Sequence, residues 1–80
     1  MEKFDVQNLV AAFDKAGKNH LISININALE ISAQELILML EQAEDIFKAG
    51  GDDVRIMVCA IGNGDHFAAL VDENEMEVAA

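Results

Sequence analysis

Apolar residues recur along this chain with two different periods, and each change of period marks a new element. Val6, Leu9, Val10 and Phe13 stand three or four residues apart, which predicts an amphipathic helix from about Val6 to Ala16. Asp5 stands where an N-cap belongs. Gly17 stands just past the helix end, with Lys15 and Lys18 beside the negative pole of its dipole. From His20 to Ile31 the period falls to two. Ile22, Ile24 and Ile26 alternate with Ser23, Asn25 and Asn27, the pattern of a strand with one apolar face. The alternation breaks over Ala28-Leu29-Glu30-Ile31, which predicts a bulge or short turn there.

Ser32-Ala33-Gln34-Glu35 is a capping box, so a second long helix is expected from Ala33 to Ala49, stopped by Gly50-Gly51. Leu36, Met39, Leu40, Ala43, Ile46 and Phe47 fall in one sector of it. Ile37 and Leu38 lie off that stripe, and Glu41, Glu44, Asp45 and Lys48 take the other side. Val54 to Ile61 then reads as a strand, Asn63-Gly64 as a hairpin turn, and Phe67 to Val71 as the returning strand. Residues 72–80 read as an acidic tail, with Met76 and Val78 able to add a weak edge strand.

The order α-β-α-β-β predicts an α/β (α+β) fold for residues 1–80 as a single small domain. The expected form is a two-layer sandwich whose three- or four-stranded mixed sheet, built on a right-handed β-α-β crossover, carries two helices on one face. If the Asn63-Gly64 turn alone sets the hairpin register, Ile56, Val58, Ala60, Phe67, Ala69 and Val71 share the helix-covered face. The opposite face then collects Arg55, Met57, Cys59, Ile61, His66, Ala68 and Leu70, with Ser23, Asn25 and Asn27 from the first strand. Two helices cover only one side of so small a sheet, so this second face is expected to be open. A core of this size supplies only about 3–5 kcal/mol. A homodimer formed through Asn25, Arg55, Met57, Cys59, His66 and Leu70 is one way to add to that, and a monomer with a just-sufficient core is the other.

Composition narrows the function. The 80 residues carry 15 acids, 5 bases and 2 His, a net charge of −10. Phosphates repel such a surface, so direct nucleic-acid binding is not expected. The longest apolar run, Ile56 to Ile61, is far short of the roughly 18 residues a membrane span needs. No signal peptide is visible, so a cytoplasmic location and no membrane partner are expected. The charge is also uneven. Up to Lys18 acids and bases balance, and the rest of the chain holds the whole excess. Such acidity either keeps a surface solvated or prepares it for a basic partner.

Chemistry-bearing residues are few. Cys59 and His66 form a Cys–His pair on one face in the register assumed above, but no oxyanion donors or orienting group accompany them. A lone Cys more often behaves as a small buried hydrophobe. His20, His66 and Cys59 have no zinc-ligand spacing, and Asp52-Asp53 and Asp72-Glu73 lack the periodicity of a calcium loop. Gly62-Asn63-Gly64-Asp65 lacks the Lys of a phosphate loop. No cofactor, metal or enzymatic activity is therefore expected.

The remaining reading is a binding protein. In size and charge, though in no motif, the chain is similar to the small phage-encoded inhibitors of bacterial defence, such as anti-CRISPR and anti-restriction proteins. The uneven acidic charge points to an acidic inhibitor or adaptor that mimics a nucleic-acid backbone and occupies a basic, nucleic-acid-binding surface of a partner protein. The residues expected to carry it are Glu41, Glu44 and Asp45 on the helix, with Leu38 as an apolar anchor, and Asp65, Asp72 and Glu73 at the hairpin end. The alternative is a structural or accessory subunit that homodimerises through the open sheet face.

Overall fold

The computed structural model describes residues 4–74. Helix α1 (Val6–Ala16), strand β1 (Leu21–Asn25), the single turn α2 (Ile26–Leu29), helix α3 (Ala33–Ala49) and strands β2 (Val54–Gly62) and β3 (Asp65–Asp72) follow in that order. Helices and an antiparallel sheet make this an α+β fold. No helix among the described residues is long and apolar enough to cross a membrane. The expected edge strand at Met76 and Val78 lies outside the described residues.

Both long helices start where their caps demand. Asp5 accepts the Asn8 N–H at 3.1 Å, and the Asn8 side chain accepts the Asp5 N–H at 2.9 Å. Ser32 and Glu35 form the same reciprocal pair on α3, both bonds at 3.0 Å. Each cap satisfies N–H groups that a helix start otherwise leaves open, worth about 1 kcal/mol. Leu9 and Phe13 of α1 and Leu36, Leu40 and Ala43 of α3 meet Ile24, Val54, Ala68 and Leu70 of the sheet in one core.

Three expectations are corrected. First, β1 ends at Asn25, before the expected break at residues 28–31, and the chain takes the short turn rather than the bulge there. The Asn25 side-chain oxygen accepts the Ala28 N–H at 2.8 Å, so this residue caps α2 instead of extending the strand. Glu30, with φ +57, closes that turn in the left-handed region. Second, the sheet is not mixed. Its order is β1-β3-β2, with both pairings antiparallel. β1 and β2 run the same way, but β3 inserts between them. His66, Ala68, Ala69 and Leu70 of β3 are all buried, as a central strand requires, whereas β2 is exposed along most of its length.

Third, the hairpin register is shifted by one. Asn63 and Gly64 both have positive φ (55° and 81°), the signature of a type I′ turn, and Gly62 pairs with Asp65. The next pair is Ala60 with His66, so Ile61 is a bulge without a partner. A slip of one residue moves a strand's side chains to the opposite face. Ile56 therefore opposes Leu70, and Val58 opposes Ala68, on the helix side. His66 and Leu70, expected on the open face, lie buried under the helices, while Phe67, Ala69 and Val71 take the open side.

The turn is tied down from below. The Ile26 N–H donates to the Gly64 carbonyl at 2.9 Å, and the Asn27 amide donates to the Asn63 carbonyl at 3.1 Å. A Cβ on Gly64 would sit 2.9 Å from Asn27 Cγ, whereas one on Gly51, also at positive φ, would meet nothing. Gly51→Ala is expected to cost about 1 kcal/mol of backbone strain, and Gly64→Ala about 2–3 kcal/mol because it also displaces Asn27. Urea unfolding of the two variants checks the order; equal losses would contradict the clamp.

Candidate functional site

The acids expected to form one surface fall into three places. Leu38, Glu41 and Asp45 share the outer side of α3 and are exposed, Leu38 to 52%. Their spacing of three and then four residues puts them one above another on the helix. Leu38 also lines an open groove of about 320 Å³ with Phe4, Val6, Ile31 and Met39. Glu44 faces the sheet instead. Its Oε1 accepts the Ile56 N–H at 2.7 Å, and its Oε2 lies 3.6 Å from Lys48 Nζ. Glu44 thus ties α3 to the edge of β2.

Asp65, Asp72 and Glu73 do not gather at the hairpin end. Asp65 and Asp72 close opposite ends of strand β3, roughly 23 Å apart at the usual rise per residue. Asp65 accepts the Asn25 amide at 2.6 Å beside the turn. Glu73 lies at the other pole, 3.4 Å from Lys48, where Lys18 also lies 3.9 Å from Asp52. Lys18 and Lys48 are thus occupied with internal carboxylates, and exposed pairs of this kind contribute about 0–1 kcal/mol each.

The uncovered face of the sheet carries Arg55, Met57 and Cys59 of β2, Phe67, Ala69 and Val71 of β3, and Leu21, Ser23 and Asn25 of β1. Leu21 is 69% exposed and Met57 49%. The expected Cys–His pair is not assembled. Cys59 pairs with Phe67 and is exposed on the open face, whereas His66 is buried on the helix side with its Nδ1 donating to the Gly64 carbonyl at 3.0 Å. A carbonyl only accepts, so that nitrogen carries the proton. Cys59 is also not the buried hydrophobe its residue type favours. No three His, Cys, Asp or Glu side chains gather into a metal-binding group among the described residues.

One feature is absent from the sequence expectations. Between α3 and the free edge of β2 runs a cleft of about 200 Å³, floored by Ile37, Leu40, Ile56 and Val58 and rimmed by Glu41 and Glu44. The apolar run Ile56–Ile61 was its signal. Such a run fits a strand buried on both faces. Here it forms an edge strand, with Met57, Val58 and Ile61 each well exposed.

The chain shows no significant similarity to any known family model, curated protein or solved structure. The two rim acids differ in role. Glu44→Ala is expected to lower unfolding stability by about 1.5–3 kcal/mol, because a hydrogen bond to a charged acceptor is lost, and Glu41→Ala to change it by less than about 0.5 kcal/mol. Chemical denaturation of the pair checks this; equal values would remove the distinction.

Proposed function

We propose that the protein is a non-enzymatic inhibitor or adaptor whose acidic surface occupies a basic, nucleic-acid-binding surface of a partner protein. The observation that carries this is the exposed stripe Leu38–Glu41–Asp45 on α3, an apolar anchor beside two carboxylates that hold no ion pair among the described residues. Uncompensated acids destabilise a fold by self-repulsion, so a net charge of −10 works against the stability of a chain of 80 residues. A basic partner offsets that repulsion and is steered toward the acidic face over the screening length of about 8–10 Å. Leu38 supplies the apolar contact that such an interface needs at its centre.

The test is capture of partners from a host lysate by the tagged protein and by the double variant Glu41→Lys/Asp45→Lys, at low and at high salt. The expected result is retention of a basic, nucleic-acid-binding protein at low salt, with roughly tenfold less held by the variant. Equal capture by both would overturn the reading.

A second reading rests on the open sheet face, where Leu21, Met57 and Phe67 are all exposed. It makes the protein an accessory subunit that homodimerises through this face, the acids serving only to keep it in solution. Met57→Lys should then convert a dimer to a monomer in sedimentation. A wild-type chain that sediments as a monomer at high micromolar concentration contradicts it.

A further inference from the structure

β2 is an edge strand whose backbone is blocked at one position and open at the next two. The Ile56 N–H points away from β3, because it donates to Glu44 at 2.7 Å. Along a strand every second residue turns its N–H and C=O the same way. Val58 and Ala60 therefore present theirs to the free edge, beyond the reach of the β3 ladder. A row of this kind is a template for another strand. Native edges are usually blunted by charge, Pro, a bulge or early termination; Ile56 to Ala60 carries no charge and no Pro, and the bulge comes only after it, at Ile61. Glu44 guards only its first position.

Chemistry at the rim chooses the occupant. A strand added here sets alternate side chains into the cleft lined by Ile37 and Val58, with Glu41 also lining it and free of any ion pair among the described residues. A Lys or Arg fits that place, its stem on the apolar floor and its head on the carboxylate. A second copy of this chain fits badly. Two-fold pairing of β2 with its own copy sets the α3 helices side by side, bringing Glu41 and Glu44 against their counterparts.

We infer that the β2 edge and the α3 cleft form a strand-addition site for an extended segment of a partner protein in which basic and apolar residues alternate. This rests on the reading of the protein as a binder of basic partners, and it names the shape in which the partner is held. Main-chain bonds to Val58 and Ala60 supply affinity, and the alternation of the incoming side chains supplies selectivity.

The probe is a synthetic peptide, Ser-Lys-Val-Lys-Val-Lys-Ser with blocked ends, together with the same peptide N-methylated at all three lysines and both valines, because the lysine N–H groups face β2 in an antiparallel pairing and the valine N–H groups in a parallel one, and a version with Glu in place of each Lys. Binding is read by fluorescence anisotropy, and amide exchange at Val58 and Ala60 by NMR. The parent peptide is expected to bind and to slow exchange at both amides at least roughly fivefold, while the N-methylated and Glu versions bind at least roughly tenfold more weakly. Val58→Pro removes an outward N–H while sparing the β3 ladder, and should weaken the parent peptide to the same degree. The peptide controls do not depend on that variant folding. If parent and N-methylated peptides bind equally, and Glu41→Lys/Asp45→Lys weakens both, the acidic surface stands and strand addition is wrong. If the Lys and Glu peptides bind alike, or neither binds, the proposed occupant is wrong. Self-association of the chain that Val58→Pro abolishes would give the edge to a second copy instead.

Discussion

Ile61 sits in β2 with no partner on β3, and the arrangement of both sheet faces follows from that extra residue. With it, Val54, Ile56, Ala68 and Leu70 point to the helices, and His66 goes into the core. Without it, Phe67 and Val71 would lie under the helices, and Leu70 and Ala68 would face water. The small Ala68 beneath α1 and α3 fits a position where two helices and a sheet converge on one core. The bulge is held by the type I′ turn beside it, and that turn is fastened by Ile26, Asn25 and Asn27 from the far side of the sheet. The early end of β1 therefore serves the hairpin. Asn25, the last residue of β1, also caps α2, and α2 then delivers Asn27 and the Ile26 N–H to the turn.

The charge pattern reads differently once each acid has a place. Glu44 is part of the scaffold, Glu73 and Asp52 meet lysines, and Asp65 holds an asparagine. What remains unengaged among the acids expected to bind is the outer side of α3. The carboxylates that hold the fold together are thus different from those left exposed on α3. The apolar and acidic features also meet in one region, because Glu41 stands both on the exposed stripe with Leu38 and above the cleft along β2. A partner docked there would contact helix and strand edge together.

The local signals in the sequence were strong where one residue type has one physical use. Ser32 with Glu35, Asp5, and the pair Asn63-Gly64 located two helix starts and a turn without reference to anything distant. Legibility ended where a position depends on a neighbour far along the chain. Nothing within Val54–Gly62 says that Ile61 goes unpaired, since bulge and regular strand differ only in what stands opposite. Asn25 fits both a strand's polar face and an N-cap, and only its place beside the hairpin turn makes it both. The same holds for the site. The stripe on α3 follows from helical spacing alone, whereas the cleft needs α3 and β2 side by side with β2 at the edge, and strand order is not written in any one segment.

The register of β2 on β3 is the point on which these assignments turn, and cross-strand NMR contacts measure it directly. Ile56 and Val58 occupy non-hydrogen-bonded pairs, where opposed α-protons lie closest. The bulged register predicts α-proton contacts from Ile56 to Leu70 and from Val58 to Ala68. Ile56 found opposite Val71, with Val58 opposite Ala69, would show a hairpin without the bulge. The buried and open faces would then exchange, and β2, still at the sheet edge, would present different side chains to the cleft and different N–H groups to the free edge.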